Sequence, residues 1–107
     1  MKRIAEIIDL KPECQEKYFA LHKKIWPEIE ALIYACNIRN YTIFYRNGQL
    51  FAYYEYIGDD FEADMKKMAE DPKNQEWWSV CKPCQSPLED RKEGEWWASM
   101  EEVWHQD

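Results

Sequence analysis

No stretch of this chain approaches the roughly 20 consecutive apolar residues that span a bilayer. The opening MKRIAEIIDL also lacks an uninterrupted apolar core of signal-peptide length. A cytosolic protein is the expectation, with the Asn40-Tyr41-Thr42 sequon unmodified. Positive charge is short as well: 14 basic residues against 21 acidic ones give a formal net charge of −7. Affinity for phosphate backbones comes mainly from Lys and Arg, so nucleic acid is not an expected partner. RNA recognition on a sheet is further disfavoured because no central strand carries the glycine-aromatic signature. Repeats and low-complexity segments are absent, and 107 residues suffice for one two-layer core, so residues 1–107 read as a single domain.

Histidine is scarce. Of the two, His22 and His105, the second lies near the C-terminus, where a solvated role is the simpler reading. The four cysteines, Cys14, Cys36, Cys81 and Cys84, are even in number, but in a cytosolic chain with its own core they are expected as reduced thiols. The CKPC at 81–84 has the spacing of a redox dithiol or half a zinc site. A redox dithiol normally opens a helix after a strand, whereas this one follows a tryptophan pair and precedes a loop. Zinc would need two more ligands at similar spacing, and Cys14 and Cys36 both belong to a helical stripe. Neither a metal nor a cofactor is expected.

Aromatic side chains are abundant, at 16% of the chain, with six Trp and tandem pairs at 77–78 and 96–97. Indoles bury large areas and stack on the apolar faces of sugar rings, which brings a carbohydrate ligand into consideration.

Residues 3–9, RIAEIID, alternate and carry β-branched side chains, the pattern of a first strand. Cys14, Tyr18, Leu21, Ile25, Ile29, Leu32 and Cys36 then recur at steps of three and four, a helical stripe about six turns long. Pro27 lies inside it and predicts a kink or break near Ile25 and Trp26. Residues 40–58 read as a hairpin turning at Asn47-Gly48. Here Tyr41, Ile43 and Tyr45 oppose Phe44, and Phe51 and Tyr53 oppose Ala52, Tyr54 and Tyr56. Residues 59–71 predict an Asp-capped helix, Pro72 starts a short one, 82–95 read as a loop and 96–105 as a last strand. The order β-α-β-β-α-β is that of a ferredoxin-like α+β fold: an antiparallel sheet with helices on one face. Both sheet faces are apolar, so the uncovered one requires a second sheet or a ligand.

Tyr18, His22 and Trp26 are spaced by four and share a helix face. Core packing is the plain explanation for Tyr18. The alternative is a pocket edge, where a phenol orients a ligand and an imidazole with an ordinary pKa of about 6.5 moves protons near neutrality. Glu55 falls on the same strand face as Phe51 and Tyr53, a carboxylate on a mostly apolar surface that requires partners if buried. Trp77 and Trp78 point about 100° apart on a helix, so one can enter the core while the other faces a cleft.

The segments YFALHKKIWPEIE, NYTIFY, LFAYYEY, the WW after the second helical region and the closing MEEVW together resemble the L-rhamnose mutarotase family over nearly the whole chain. That resemblance implies a homodimeric α+β barrel of two facing sheets, and interconversion of the α and β anomers of L-rhamnose or a related 6-deoxy sugar such as L-fucose. It places the acid/base histidine at His22, the sugar-contacting residues at Tyr18, Tyr41, Trp77 and Trp78, and no cofactor. The departures are the CKPCQSP stretch and the ending VWHQD, which bear on sugar preference. The alternatives are a non-catalytic sugar-binding module and a small oxygenase on the same barrel.

Overall fold

The computed structural model describes residues 1–107. Its elements are β1 (Lys2–Leu10), α1 (Gln15–Lys23), α2 (Pro27–Ala35), β2 (Ile38–Arg46), β3 (Gln49–Tyr56), α3 (Phe61–Glu70), α4 (Pro72–Cys81), β4 (Gln85–Ser86) and β5 (Ala98–Met100). Short 3-10 turns occupy Pro12–Cys14 and Lys82–Cys84. All strand pairs are antiparallel, in the order β2-β3-β1, with β4 and β5 both on the free edge of β1. Taken as one interrupted edge strand, β4 and β5 complete the ferredoxin-like order.

The long helical stripe is two helices. Lys24 and Trp26 leave helical geometry (φ −144°, ψ 73° and φ −59°, ψ 132°), and Pro27 opens α2. Proline suits a first helical position because its missing N–H has no intrahelical partner there. The Trp26 carbonyl then accepts from the Ile29 and Glu30 amides at 3.0 and 3.2 Å.

The hairpin turns where Asn47 and Gly48 both adopt positive φ, 48° and 82°, as a type I′ connection requires. A β-bulge, not anticipated from the sequence, lies between Arg39 and Thr42, with Asn40 at φ 54°. Ile38 and Tyr41 are an odd number of residues apart and would sit on opposite faces of a regular strand. The extra residue lets both face the helices.

Two expectations near the C-terminus need correction. The region 82–95 contains a 3-10 turn and the two-residue strand β4, which pairs with Asp9 and Leu10. The last strand spans only Ala98–Met100, and Glu101–Asp107 continue beyond it without regular structure. Beyond Met100 a side-chain pair replaces the ladder: Arg3 Nε and a terminal Arg3 nitrogen donate to the two Glu102 oxygens at 3.0 and 3.1 Å.

The core lies between the sheet and the helices and joins Ile8, Leu10 and Leu50 from the strands to Tyr18, Ile29 and Trp77 from the helices. All four cysteines are free. Burial pushes the Cys81 thiol up to about 12, which is the opposite of an activated dithiol. On the far face Ala5, Ile7, Phe51, Tyr53, Ala98 and Met100 share a side, as their register requires, and no helix covers them.

Candidate active site

α1 carries Tyr18 and, one turn later, His22 toward the sheet, α4 brings Trp77 and Trp78 alongside, and the hairpin supplies Tyr41 and Tyr54. With Glu6 from β1 and Gln85 from β4, these side chains line one cavity of about 240 Å³. A wider cleft of about 580 Å³ between α2 and β2 shares His22, Tyr41, Trp77 and Trp78 with it. The inner volume is below the roughly 300 Å³ at which drug-sized pockets begin, which suits a small, compact ligand.

His22 is tightly specified. Its ring stacks on Tyr18 (centroids 4.2 Å apart, planes at 26°) and meets the edge of Trp77 at 5.4 Å. Its Nδ1 lies 2.9 Å from the backbone carbonyl of Tyr18. A carbonyl only accepts, so Nδ1 carries the proton and Nε2 keeps the lone pair. Burial lowers the His22 pKa, and the bond to the Tyr18 carbonyl opposes this only in part. The neutral imidazole with a basic Nε2 therefore prevails at neutral pH.

Tyr18 is 3% exposed. Trp96 Nε1, which can only donate, bonds Gln85 Oε1 at 2.7 Å, and Gln85 Nε2 donates to the Tyr18 hydroxyl at 2.9 Å. The tyrosine oxygen is thereby an acceptor toward the protein, and its own proton is left for the cavity. Burial raises the Tyr18 pKa, and the Gln85 bond opposes it. Tyr41 stacks on Tyr54 at 5.1 Å. Although Tyr41 is 37% exposed as a residue, its hydroxyl end is desolvated and its pKa lies well above the ordinary value. All three phenols are donors at neutral pH.

Trp77 is buried, wedged between His22 and the edge of Trp26 at 5.1 Å. Trp78 is half-buried and has the Lys82 ammonium over its ring at 4.6 Å. One indole is thus core and the other cleft, as their angular separation predicts.

The structure brings Tyr18, His22, Tyr41, Trp77 and Trp78 together and leaves Glu55 out. Glu55 is on the far sheet face, where its carboxylate accepts from Asn40 Nδ2 at 2.7 Å and the Tyr53 hydroxyl at 2.8 Å. These donors lower its pKa. His105 is also remote, paired with Asp107 at 2.8 Å. No group of three or more His, Cys, Asp and Glu residues is arranged to hold a metal ion.

Glu6, Tyr54 and Gln85 escaped the sequence reading. Glu6 had a signal, since it keeps step with Ile4 and Ile8 on the helix-facing side of β1. Tyr54 likewise alternates with Ala52 and Tyr56. Gln85 had none, because nothing local marks a polar residue in a Pro-rich segment as buried.

Fold and cavity together define a ferredoxin-like α+β protein with a small aromatic pocket that presents a neutral histidine and several hydroxyl donors. The family model described as L-rhamnose mutarotase matches residues 3–106, and the chain belongs to that family. An L-rhamnose mutarotase of Lactiplantibacillus plantarum is 30% identical over 109 aligned residues, covering 100% of both chains. That of Bacillus subtilis is 38% identical over 85 residues, 78% of this chain and 79% of the relative. Among solved structures, the L-rhamnose mutarotase of Formosa agariphila superposes over 100% of both chains with a TM-score of 0.76 at 22% identity. Tetracenomycin F2 cyclase of Streptomyces glaucescens, a polyketide cyclase, reaches 0.70 at 17% identity over 100% of this chain and 98% of its own. At these identities the structural likenesses speak for the fold alone.

Proposed function

We propose that this protein interconverts the α and β anomers of L-rhamnopyranose, or of a related 6-deoxy sugar such as L-fucose, by acid/base-assisted ring opening and reclosure. The observation that carries the reading is His22: its Nδ1 proton is spent on the Tyr18 carbonyl, leaving a basic Nε2 in a sugar-sized cavity. In ring opening, Nε2 takes the proton of the anomeric hydroxyl while the ring oxygen is protonated, and the C1–O5 bond breaks to give the open-chain aldehyde. Rotation about C1–C2 and reclosure yield either anomer. Tyr18 and Tyr41 place sugar hydroxyls, and Trp77 and Trp78 pack against the apolar ring face and the C6 methyl. The chemistry calls for proton transfer alone. Assistance of this kind contributes about 100-fold to 10,000-fold.

Three further parts of the reading rest on family membership and on surface chemistry. Residues 1–107 act as one mutarotase domain. Two copies pair through the uncovered sheet face, where Phe44 is 59% and Met100 43% exposed. The protein works in the cytoplasm, consistent with the lack of any helix long and apolar enough to cross a membrane.

Exchange NMR on the anomeric protons of L-rhamnose and L-fucose tests the activity. The protein is expected to accelerate α/β exchange, and His22→Ala to lose most of that excess rate while keeping its circular-dichroism spectrum. A folded His22→Ala that exchanges the sugar as fast as the wild type would remove His22 from this role.

A further inference from the structure

Glu6 projects from the helix-facing side of β1, between Ile4 and the fully buried Ile8, into the cavity that holds Tyr18, His22, Tyr41 and Tyr54. Other perturbed carboxylates are each held by donors: Glu55 by Asn40 and Tyr53, Asp64 by Asn37 and Tyr56, Glu95 by Ser99, and Glu102 by Arg3. Glu6 has no hydrogen bond from any side chain and no ion pair, and none of its atoms is both sealed from solvent and unpartnered. Its polar end therefore opens to the cavity. A carboxyl removed from bulk water without protein donors is costly to keep, and a ligand hydroxyl would satisfy it.

The surroundings limit what else could claim it. Tyr18 and His22 face it from α1, Tyr41 from β2, Tyr54 from β3, and Cys81 and Lys82 from the end of α4. Glu95, ahead of β5, acts on it as a like charge. The one cation, Lys82, lies over the Trp78 and Trp96 rings at 4.6 and 5.3 Å and makes no salt bridge to Glu6.

Building on the mutarotase reading, we propose that Glu6 is the second acid/base residue of anomer exchange, paired with His22 across the sugar. His22 Nε2 takes the anomeric hydroxyl proton while the Glu6 carboxylic acid gives its proton to the ring oxygen. The electron pair of the broken C1–O5 bond goes to O5, and C1–O1 becomes a carbonyl. The products are an aldehyde with a free C5 hydroxyl, an imidazolium and a carboxylate. Reclosure runs the same transfers backward: the carboxylate takes the C5 hydroxyl proton, and the imidazolium protonates the carbonyl oxygen. Both residues return to their starting forms whichever face is closed.

The protonation states suit the pairing. Burial, reinforced by Glu95, raises the Glu6 carboxyl to about 7, while burial lowers His22. An acid and a base whose environments push them past each other in this way can act together near neutrality.

The test is the exchange rate of L-rhamnose anomers from pH 5 to 9 for the wild type, Glu6→Gln and Glu6→Asp, with saturation-transfer NMR reporting sugar binding. Glu6→Gln keeps the shape but has no transferable proton. It is expected to bind the sugar, lose about 100-fold in rate and lose the fall in rate above about pH 7 that a Glu6 acid predicts for the wild type. Glu6→Asp is expected to recover part of the rate and to keep that fall. A Glu6→Gln protein with wild-type rate and profile, or one altered only in KM, overturns the role. So does a Glu6→Asp protein with a flat profile, a result that stands even if the Gln variant does not fold. A wild type that leaves exchange at the blank rate overturns the mutarotase reading itself, and the role of Glu6 with it.

Discussion

Burial acts in opposite directions on the two titrating groups of the cavity, and stability records both. Glu6 has its folded pKa raised from 4.5 to about 7, so between those values the native state binds more protons than the unfolded chain. Stability must then fall as pH rises through that window and level off above it. His22 has its folded pKa lowered, so below its ordinary 6.5 the native state binds fewer protons and stability rises with pH. Replacing Glu6 by Gln removes the falling component. The variant is expected to exceed the wild type by roughly 3 kcal/mol at pH 8, the shift from 4.5 to about 7 at about 1.4 kcal/mol per pKa unit, with the gap closing toward pH 4.5. Urea unfolding at pH 5 and 8 measures this, and a gap that is the same at both would contradict the assigned cause. Tyr18 and His22 were legible from spacing alone, because residues four apart on a helix must share a face. Tyr41 was legible too, in step with Ile43 and Tyr45 along β2, whereas Ile38 joins that face only through the bulge before Thr42.

Short, irregular elements do much of the positioning. The break at Lys24–Trp26 was legible, because Pro27 cannot continue a helix from the preceding turn. It ends α1 just past His22 and sets the Trp26 indole against Trp77. β4 was not legible: two residues carry no periodicity, and its place depends on pairing with Asp9 and Leu10 far away in the sequence. That pairing holds Gln85 between Trp96 and Tyr18. Gln85→Glu would present an acceptor to both neighbours, turning the Tyr18 proton from the cavity toward the carboxylate. The expected result is a KM for the sugar raised about tenfold, the worth of one hydrogen bond near 1.4 kcal/mol, in a protein that still folds. An unchanged KM would show that Tyr18 donates nothing to the sugar.

For the whole molecule, the question is what covers the far side of the sheet. Ala5, Ile7, Phe51, Tyr53, Ala98 and Met100 form a continuous apolar surface there, and Phe44 stands 59% exposed beside Phe51, with ring centroids 6.4 Å apart. The pairing proposed above would cover it with a second copy of the same face, since a two-fold interface pairs a patch with itself. Sedimentation velocity is expected to give the mass of two chains for the wild type and of one chain for Phe51→Glu, because a buried carboxylate at the contact would have no partner. A wild type that sediments as a single chain at micromolar concentration would exclude this pairing. The apolarity of both faces was legible from alternation along β2 and β3, and with it the need for a cover.

The sequence by itself determined the features that local periodicity and backbone restriction control: the first strand, the break at Pro27, the Asn47-Gly48 hairpin, the ferredoxin-like order and the shared face of Tyr18 and His22. Each depends on residues a few positions apart, where proline, glycine and hydrophobic spacing act directly. Only the tertiary structure decided that Glu6 and not Glu55 shares a cavity with the histidine, that Ile38 joins Tyr41 on the inward face, and that Gln85 ties Tyr18 to Trp96. Those outcomes depend on strand register, on one extra residue in a bulge and on contacts between residues up to 67 positions apart, and no local pattern encodes which distant partner a side chain will meet.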